Sequence, residues 1–223
     1  AVPVTVWSTA SHDAGMGGTN LLRQLIPGRR FPFPKSLFAV EDSLRFVLAK
    51  KPESIVLDFF AGSGTTAHAV MRLNKQDGGR RQSISITNNE VSDEDRKKLR
   101  SEGLRPGDPA WEQLGICDLI TKPRVKSAVN GQTPDGEPIV GDYKFTDQFP
   151  MAEGFEENVE FFQLTYEAPL AVKSHRDFER IAPLLWMRAG SVGRLISDVS
   201  SGWDVTDSYG VLADLDHVDQ FLK

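Results

Sequence analysis

The chain has one cysteine, Cys117. That excludes an internal disulfide and a multi-cysteine metal site, and leaves a buried structural thiol as its expected role. Long apolar runs are missing as well. The longest, Ile55 to Phe60 and Ile181 to Met187, are interrupted by Asp58 and Pro183, and both fall far short of the roughly 20 residues that cross a bilayer. No basic, apolar, small-residue leader opens the sequence, so a cytoplasmic location without membrane contact is expected. Basic excess is also lacking: 26 Lys and Arg stand against 31 Asp and Glu, a net charge of −5. A stand-alone nucleic-acid binder carries a basic face. The short clusters Arg29-Arg30, Arg80-Arg81 and Arg96-Lys97-Lys98 read as solvated charge. His12-Asp13 has no third partner for acid–base work and reads as turn polarity. There are no internal repeats, and no metal site is expected.

What is present is an ordinary globular composition, 39% hydrophobic and 26% charged over 223 residues, enough for a substantial α/β core. The organising stretch is Ser54 to Ala67. Ile55-Val56-Leu57 leads into Asp58. Phe59, Phe60 and Ala61 follow, then Gly62-Ser63-Gly64, then Thr65-Thr66 at the head of a segment of helix formers. The order predicts strand, tight glycine turn and helix N-terminus. Gly62 and Gly64 suit positive φ and close approach of a ligand to backbone. The free amides of the following turn favour an anionic group.

Gly62-x-Gly64-x-x-Ala67 alone also passes for a dinucleotide fingerprint. Asp58 argues against that reading. A carboxylate four residues before the first glycine lies near where a pyrophosphate must sit, and like charges at close range repel by several kcal/mol at ε of about 20. A ligand with an ammonium group and no phosphate fits, which points to S-adenosylmethionine. The string Asp58-Phe59-Phe60-Ala61-Gly62-Ser63-Gly64-Thr65-Thr66 resembles the cofactor motif of the amino-group DNA methyltransferases. It is most similar to the modification subunits of type III restriction systems, which methylate adenine. Gly115-Ile116-Cys117-Asp118-Leu119-Ile120-Thr121-x-x-Arg124-Val125-Lys126 resembles the same branch. The resemblance implies an α/β, Rossmann-like adenosylmethionine-dependent fold, present here as an incomplete half sheet. It further implies DNA as the parent's substrate, and a restriction subunit or self-association as possible partners.

By position in that family, Phe33, Lys35 and Ser36 match the segment that folds over the methionine end of the cofactor, although Phe-Pro-Lys-Ser departs from the commoner Thr-x-Lys-Pro. A lysine amine there would neutralise the cofactor carboxylate. Residues 8–34 read as an ordered loop, followed by a helix from Lys35 with Ser36 as N-cap. Gln82 to Thr87 alternates as the next strand and ends in Asn88-Asn89-Glu90. Glu90, some 20 residues past the glycines, fills the ribose-holding position, with Asn88 and Asn89 beside the adenine. Ser92 caps a charged helix with Asp95 in the capping-box position. Helices are expected over Ala110 to Ile120 and from Thr121 to a C′ glycine at Gly131, then a hairpin or exposed excursion over Gln132 to Gly141. Further on come a buried strand over Asn158 to Tyr166, a helix over Arg176 to Arg188 closed by Gly190, and a strand near Tyr209 to Ala213. Phe161, Phe162 and Trp186 read as core aromatics.

Methylating an exocyclic amine needs an acceptor for its protons and a ring to stack on the extruded base. The resembled enzymes supply both with an Asp/Asn-Pro-Pro-aromatic motif. No Pro-Pro pair occurs here, so no catalytic residue is assigned. With the absent initiator Met, this is the reading of a truncated chain: one cofactor-binding portion, with a loop region at 1–34, an α/β core at 35–190 and the start of an extension at 191–223. Two other readings stay open, a non-catalytic methyltransferase-like support module and a nicotinamide-dependent oxidoreductase domain.

Overall fold

The computed structural model describes residues 6–164 and 178–223. The chain forms two compact units, Ala1–Val159 and Glu160–Lys223, a division that no break in the sequence announces.

In the first unit the β-branched run before Asp58 forms β1, Ile55–Asp58. Thr65–Asp77 forms a helix, and Gln82–Ser85 forms β2. The strands pair in parallel, Ile55 opposite Gln82 through Asp58 opposite Ser85, which makes a β-α-β unit. The helix buries Ala67, Ala69, Val70, Met71 and Leu73. In chain order the helices of this unit are α1 (Leu21–Leu25), α2 (Leu37–Leu48), α3 (Thr65–Asp77), α4 (Asp93–Ser101), α5 (Pro109–Glu112) and α6 (Lys122–Asn130). α2 packs on α3, pinned by the buried Glu41 carboxylate. It accepts from Arg72 Nε at 2.5 Å and Gln76 Nε2 at 2.7 Å on α3. The outward face of the strand pair is bare: Ile55 is 63% exposed, Leu57 58% and Ile84 48%.

The helix over Leu37–Leu48 starts on Ser36 as expected, and α4 starts on Ser92. Residues 8–34 are not all loop. Ala10–His12 makes one 3₁₀ turn, and Gly15–Asn20 winds as a π turn into α1, burying Leu21, Leu22 and Leu25. Gly17 and Gly18 lie inside this π turn and let its backbone pass against Ser36 and Pro34, where a Cβ has no room. The helix expected over Ala110 to Ile120 is interrupted, because Gly115 leaves α5 to bridge Val91. Cys117–Thr121 then makes a π turn running straight into α6, so Thr121-Lys122-Pro123 continues a helix rather than restarting one. Gly131 ends α6 at φ +67°. Gln132 bridges Pro138, the expected hairpin-like excursion. Cys117 is half-buried, and that burial pushes its thiol pKa up.

No strand forms over residues 158–164; Phe162 and Leu164 are 41% and 96% exposed. An apolar run makes a strand only where a neighbouring strand takes its backbone ladder, and no such strand pairs with it among the described residues. Thr165 and Tyr166 lie outside the described residues. In the second unit α7, Phe178–Arg188, carries Pro183 and ends before Gly190, but buries Ala182 alone; Leu184 is exposed. Phe162 and Trp186 touch with centroids 6.0 Å apart as a half-exposed rim contact rather than a core. β3 (Trp203–Val205) and β4 (Gly210–Leu212) form an antiparallel hairpin, followed by α8, Val218–Phe221. The architecture is thus mixed α/β, with two small two-stranded sheets among the described residues.

Candidate functional site

The glycine turn sits at the carboxyl end of the parallel strand pair, where open α/β sheets present their ligand-facing loops. Ile86 N donates to Asp58 O at 2.8 Å, and Ala61 N donates to Ile86 O at 3.0 Å, so the ends of β1 and β2 leave the sheet together. Asp58 is half-buried, and its Oδ1 accepts from Phe60 N at 3.2 Å. Its second oxygen has no hydrogen bond among the described residues. Phe59 and Phe60 project outward, 58% and 90% exposed. Ala61, Ser63 and Thr65 are buried, and Thr66 is half-buried.

Both glycines take the positive φ expected of them, +50° at Gly62 and +75° at Gly64. A Cβ on Gly62 would meet the Phe31 ring at 3.4 Å. One on Gly64 would meet Thr121 Cγ2 and Val125 Cγ2 at 3.3 Å. Gly64 N donates to Ala61 O, closing the turn. No side chain caps α3, so its first-turn amides remain available to a ligand.

The other assigned residues divide. Phe33 sits at φ +55° and is 92% exposed, and Lys35 is exposed beside it. Ser36 is buried and already engaged: its Oγ donates to Ser11 O and accepts from Ala39 N. Asn88 is exposed. Asn89 is spent inside the protein, with Nδ2 on Glu112 and Asp118 and Oδ1 accepting from Asp118 N. Glu90 is exposed, with Arg96 Nη2 at 3.6 Å. His12 pairs with Asp42 at 2.9 Å, not with Asp13, whose Oδ1 accepts from Met16 N. An open groove of about 510 Å³ lined by Trp7, His12, Asp42 and Phe46 contains none of the motif residues. No cluster of His, Cys, Asp or Glu suited to a metal occurs among the described residues, and none of their helices is long and apolar enough to cross a membrane.

Three residues at the turn went unassigned from sequence. Phe31 rather than Phe33 lies against Gly62. Thr121 Oγ1 donates to Gly62 O at 2.5 Å. Arg124 reaches Ser63 and Thr65 from behind. Thr121 and Arg124 belong to the Gly115–Lys126 string, which was the one available signal.

A DNA methylase family model (N6 and N4 methyltransferases) matches residues 3–116, just over half of the chain. The chain belongs to the DNA methylase family. Among its relatives is the Mod subunit of the type III restriction-modification enzyme EcoP15I of Escherichia coli, 44% identical over 102 residues. That match covers 45% of this chain and 15% of the relative. The EcoPI Mod subunit of Escherichia phage P1 is 38% identical over 89 residues, 40% of this chain and 13% of that protein. The type II methyltransferase M.KpnI of Klebsiella pneumoniae is 38% identical over 85 residues, 38% and 20% respectively. The matched part of this chain therefore spans a fifth or less of the length of these curated relatives.

Proposed function

We propose that this chain is the adenosylmethionine-binding portion of a site-specific DNA methyltransferase of a restriction-modification system, acting on adenine N6. The observation that carries the reading is a half-buried carboxylate, Asp58, placed one glycine turn before an uncapped helix N-terminus. That pairing suits a zwitterion: an ammonium toward Asp58, a carboxylate toward the amides of α3. Family membership supports it. Gly62 and Gly64 take positive φ, which side-chain-bearing residues rarely adopt, and leave the backbone of the turn open to close approach. Glu90 would hold the ribose hydroxyls, with Asn88 beside the adenine. Phe33 and Lys35 would close over the methionine end. Ser36 and Asn89 would act indirectly, by fixing the backbone of those two segments. When bound, the cofactor supplies the electrophilic methyl group; these residues bind and orient it.

The bare face of Ile55, Leu57 and Ile84 supports further polypeptide in the working enzyme, because parallel strands are ordinarily covered on both sides. The Rossmann-like sheet, the acceptor motif and the DNA and restriction-subunit contacts belong to that larger assembly. The 223-residue chain alone is expected to transfer no methyl group to DNA. Calorimetric titration tests the cofactor reading. Adenosylmethionine and adenosylhomocysteine should bind and NADH should not. Asp58→Asn keeps the acceptor for Phe60 N but removes the charge, and should weaken adenosylmethionine by about tenfold or more. Heat with NADH, or equal affinity in the Asn variant, would overturn the assignment.

A further inference from the structure

Behind the glycine turn lies a buried positive charge with no counter-charge on it among the described residues. Arg124 is fully buried on α6. Its Nη1 donates to Thr65 Oγ1 at 2.7 Å, to Ser63 Oγ at 2.9 Å and to Ser63 O at 3.3 Å. All three acceptors are neutral. Nε and Nη2 find no acceptor among the described residues. Arg72, likewise fully buried, differs in having the Glu41 carboxylate at 2.5 Å. Burial draws the Arg124 pKa down to about 10, which still leaves a cation at neutral pH. A buried cation without an anion is strongly unfavourable unless something else supplies the negative charge.

The hydroxyls point the same way. Ser63 Oγ and Thr65 Oγ1 both accept from Arg124, and they lie 3.1 Å apart. One can donate to the other, and the remaining hydroxyl proton then has no acceptor among the described residues. Surplus donors, the uncapped amides of α3 and the guanidinium thus gather at one helix end, while Asp58 stands on the strand side.

We propose that Arg124 is a positioning residue that selects the carboxylate of the cofactor, acting through Ser63 and Thr65 without touching the ligand. Its charge supplies what the α3 N-terminus alone offers only as partial dipoles. The proposal rests on the cofactor reading above and names which end of the cofactor this turn recognises.

The test compares adenosylmethionine with its decarboxylated analogue, titrated calorimetrically into the 223-residue chain. The wild type should favour the carboxylate-bearing ligand by about tenfold, as a charge interaction near the surface allows. In Arg124→Met that preference should fall to nearly one, with the analogue's own affinity changed by less than about twofold. A purely structural role would instead weaken both ligands together, and that outcome, or an unchanged preference, overturns the proposal. Circular dichroism checks folding. If Arg124→Met does not fold, Arg124→Lys should retain most of the preference and Ser63→Ala should reduce it; the reverse order overturns the proposal. A wild-type chain that binds neither ligand overturns the cofactor reading itself, and this inference with it.

Discussion

α2 and α4 begin in one way and α3 in another. Ser36 Oγ accepts from Ala39 N and Ser92 Oγ accepts from Asp95 N, so the chain itself satisfies part of each first turn. α4 adds Asp93, Glu94 and Asp95 at its positive end. α3 begins on Gly64 with neither a side-chain cap nor an acid in its first turn. α1 and α6 also lack a side-chain cap, but each runs on from a π turn, whereas α3 starts directly from the glycine turn. Unsatisfied amides at a helix start are costly when left dry, so its open first turn suits a group from outside the chain. The difference also separates two uses of positive φ. At Gly78, past the C-terminus of α3, a Cβ would enter open space; at Gly64 it would press on α6.

The largest effect should come from erasing that second difference. Gly64→Val forces a β-branched residue to φ +75° and drives its side chain into Thr121 and Val125. A loss of about 3 kcal/mol is expected from strain plus overpacking. Gly78→Val carries the strain without the crowding and should cost about 1–2 kcal/mol. Urea denaturation measures both, and adenosylmethionine affinity should vanish for the first only. Equal losses at the two sites would mean that the contact with α6 does not set the turn.

A smaller effect comes from pH, again at α3. His68 lies one turn inside that helix, fully buried, sharing a 2.7 Å hydrogen bond with Tyr143 Oη. Burial, then the nearby Arg124 and Arg72 charges, hold its pKa well below 6.5. The unfolded chain therefore takes up a proton that the folded chain refuses. Stability is full above pH 6.5 and falls as pH drops below it, by at most about 1.4 kcal/mol per unit. Asp77, held low by its hydrogen bond from Arg81, contributes only in the acid range below its ordinary 3.8. The two windows do not overlap between pH 6.5 and 5. His68→Gln, which keeps a partner for Tyr143, should flatten the melting temperature across that interval. An unchanged slope would place the proton uptake elsewhere.

How legible each part was depends on how far its partners lie along the chain. Ser92 caps the helix next to it, and the positive φ of Gly64 and Gly131 serves the adjoining turns, so those roles are legible by local chemistry, whereas the closeness of Gly64 to Thr121 and Val125 is not. Ser36 was legible as a cap, while its commitment to Ser11 O, set by the approach of a separate segment, was not. Arg124 and Thr121 meet the glycine turn from about 60 residues away, a distance at which no spacing rule operates. The apolar residues of 158–164 show the converse failure. Their pattern is strand-like, but a strand is a property of a pair, and no described neighbour supplies the second ladder. The loop expected over residues 8–34 gives way to helical turns for a related reason, since the small size of Gly17 and Gly18 serves a contact with Pro34 and Ser36.

The smallest effect tests whether capped and uncapped starts are independent. Ser92→Ala removes the bond to Asp95 N and the 2.6 Å bond to Asp95 Oδ2, and should cost about 1 kcal/mol. Glu90 lies two residues upstream, and its only charged neighbour among the described residues, Arg96 at 3.6 Å, stands on α4. If Glu90 holds the ribose by its own backbone setting, through the Ile116 N bond to Glu90 O at 3.0 Å, fraying the start of α4 leaves cofactor affinity within about twofold. A larger loss would mean that the capped helix positions Glu90 for the ligand, and that the cap of α4 and the open end of α3 work as two halves of one site.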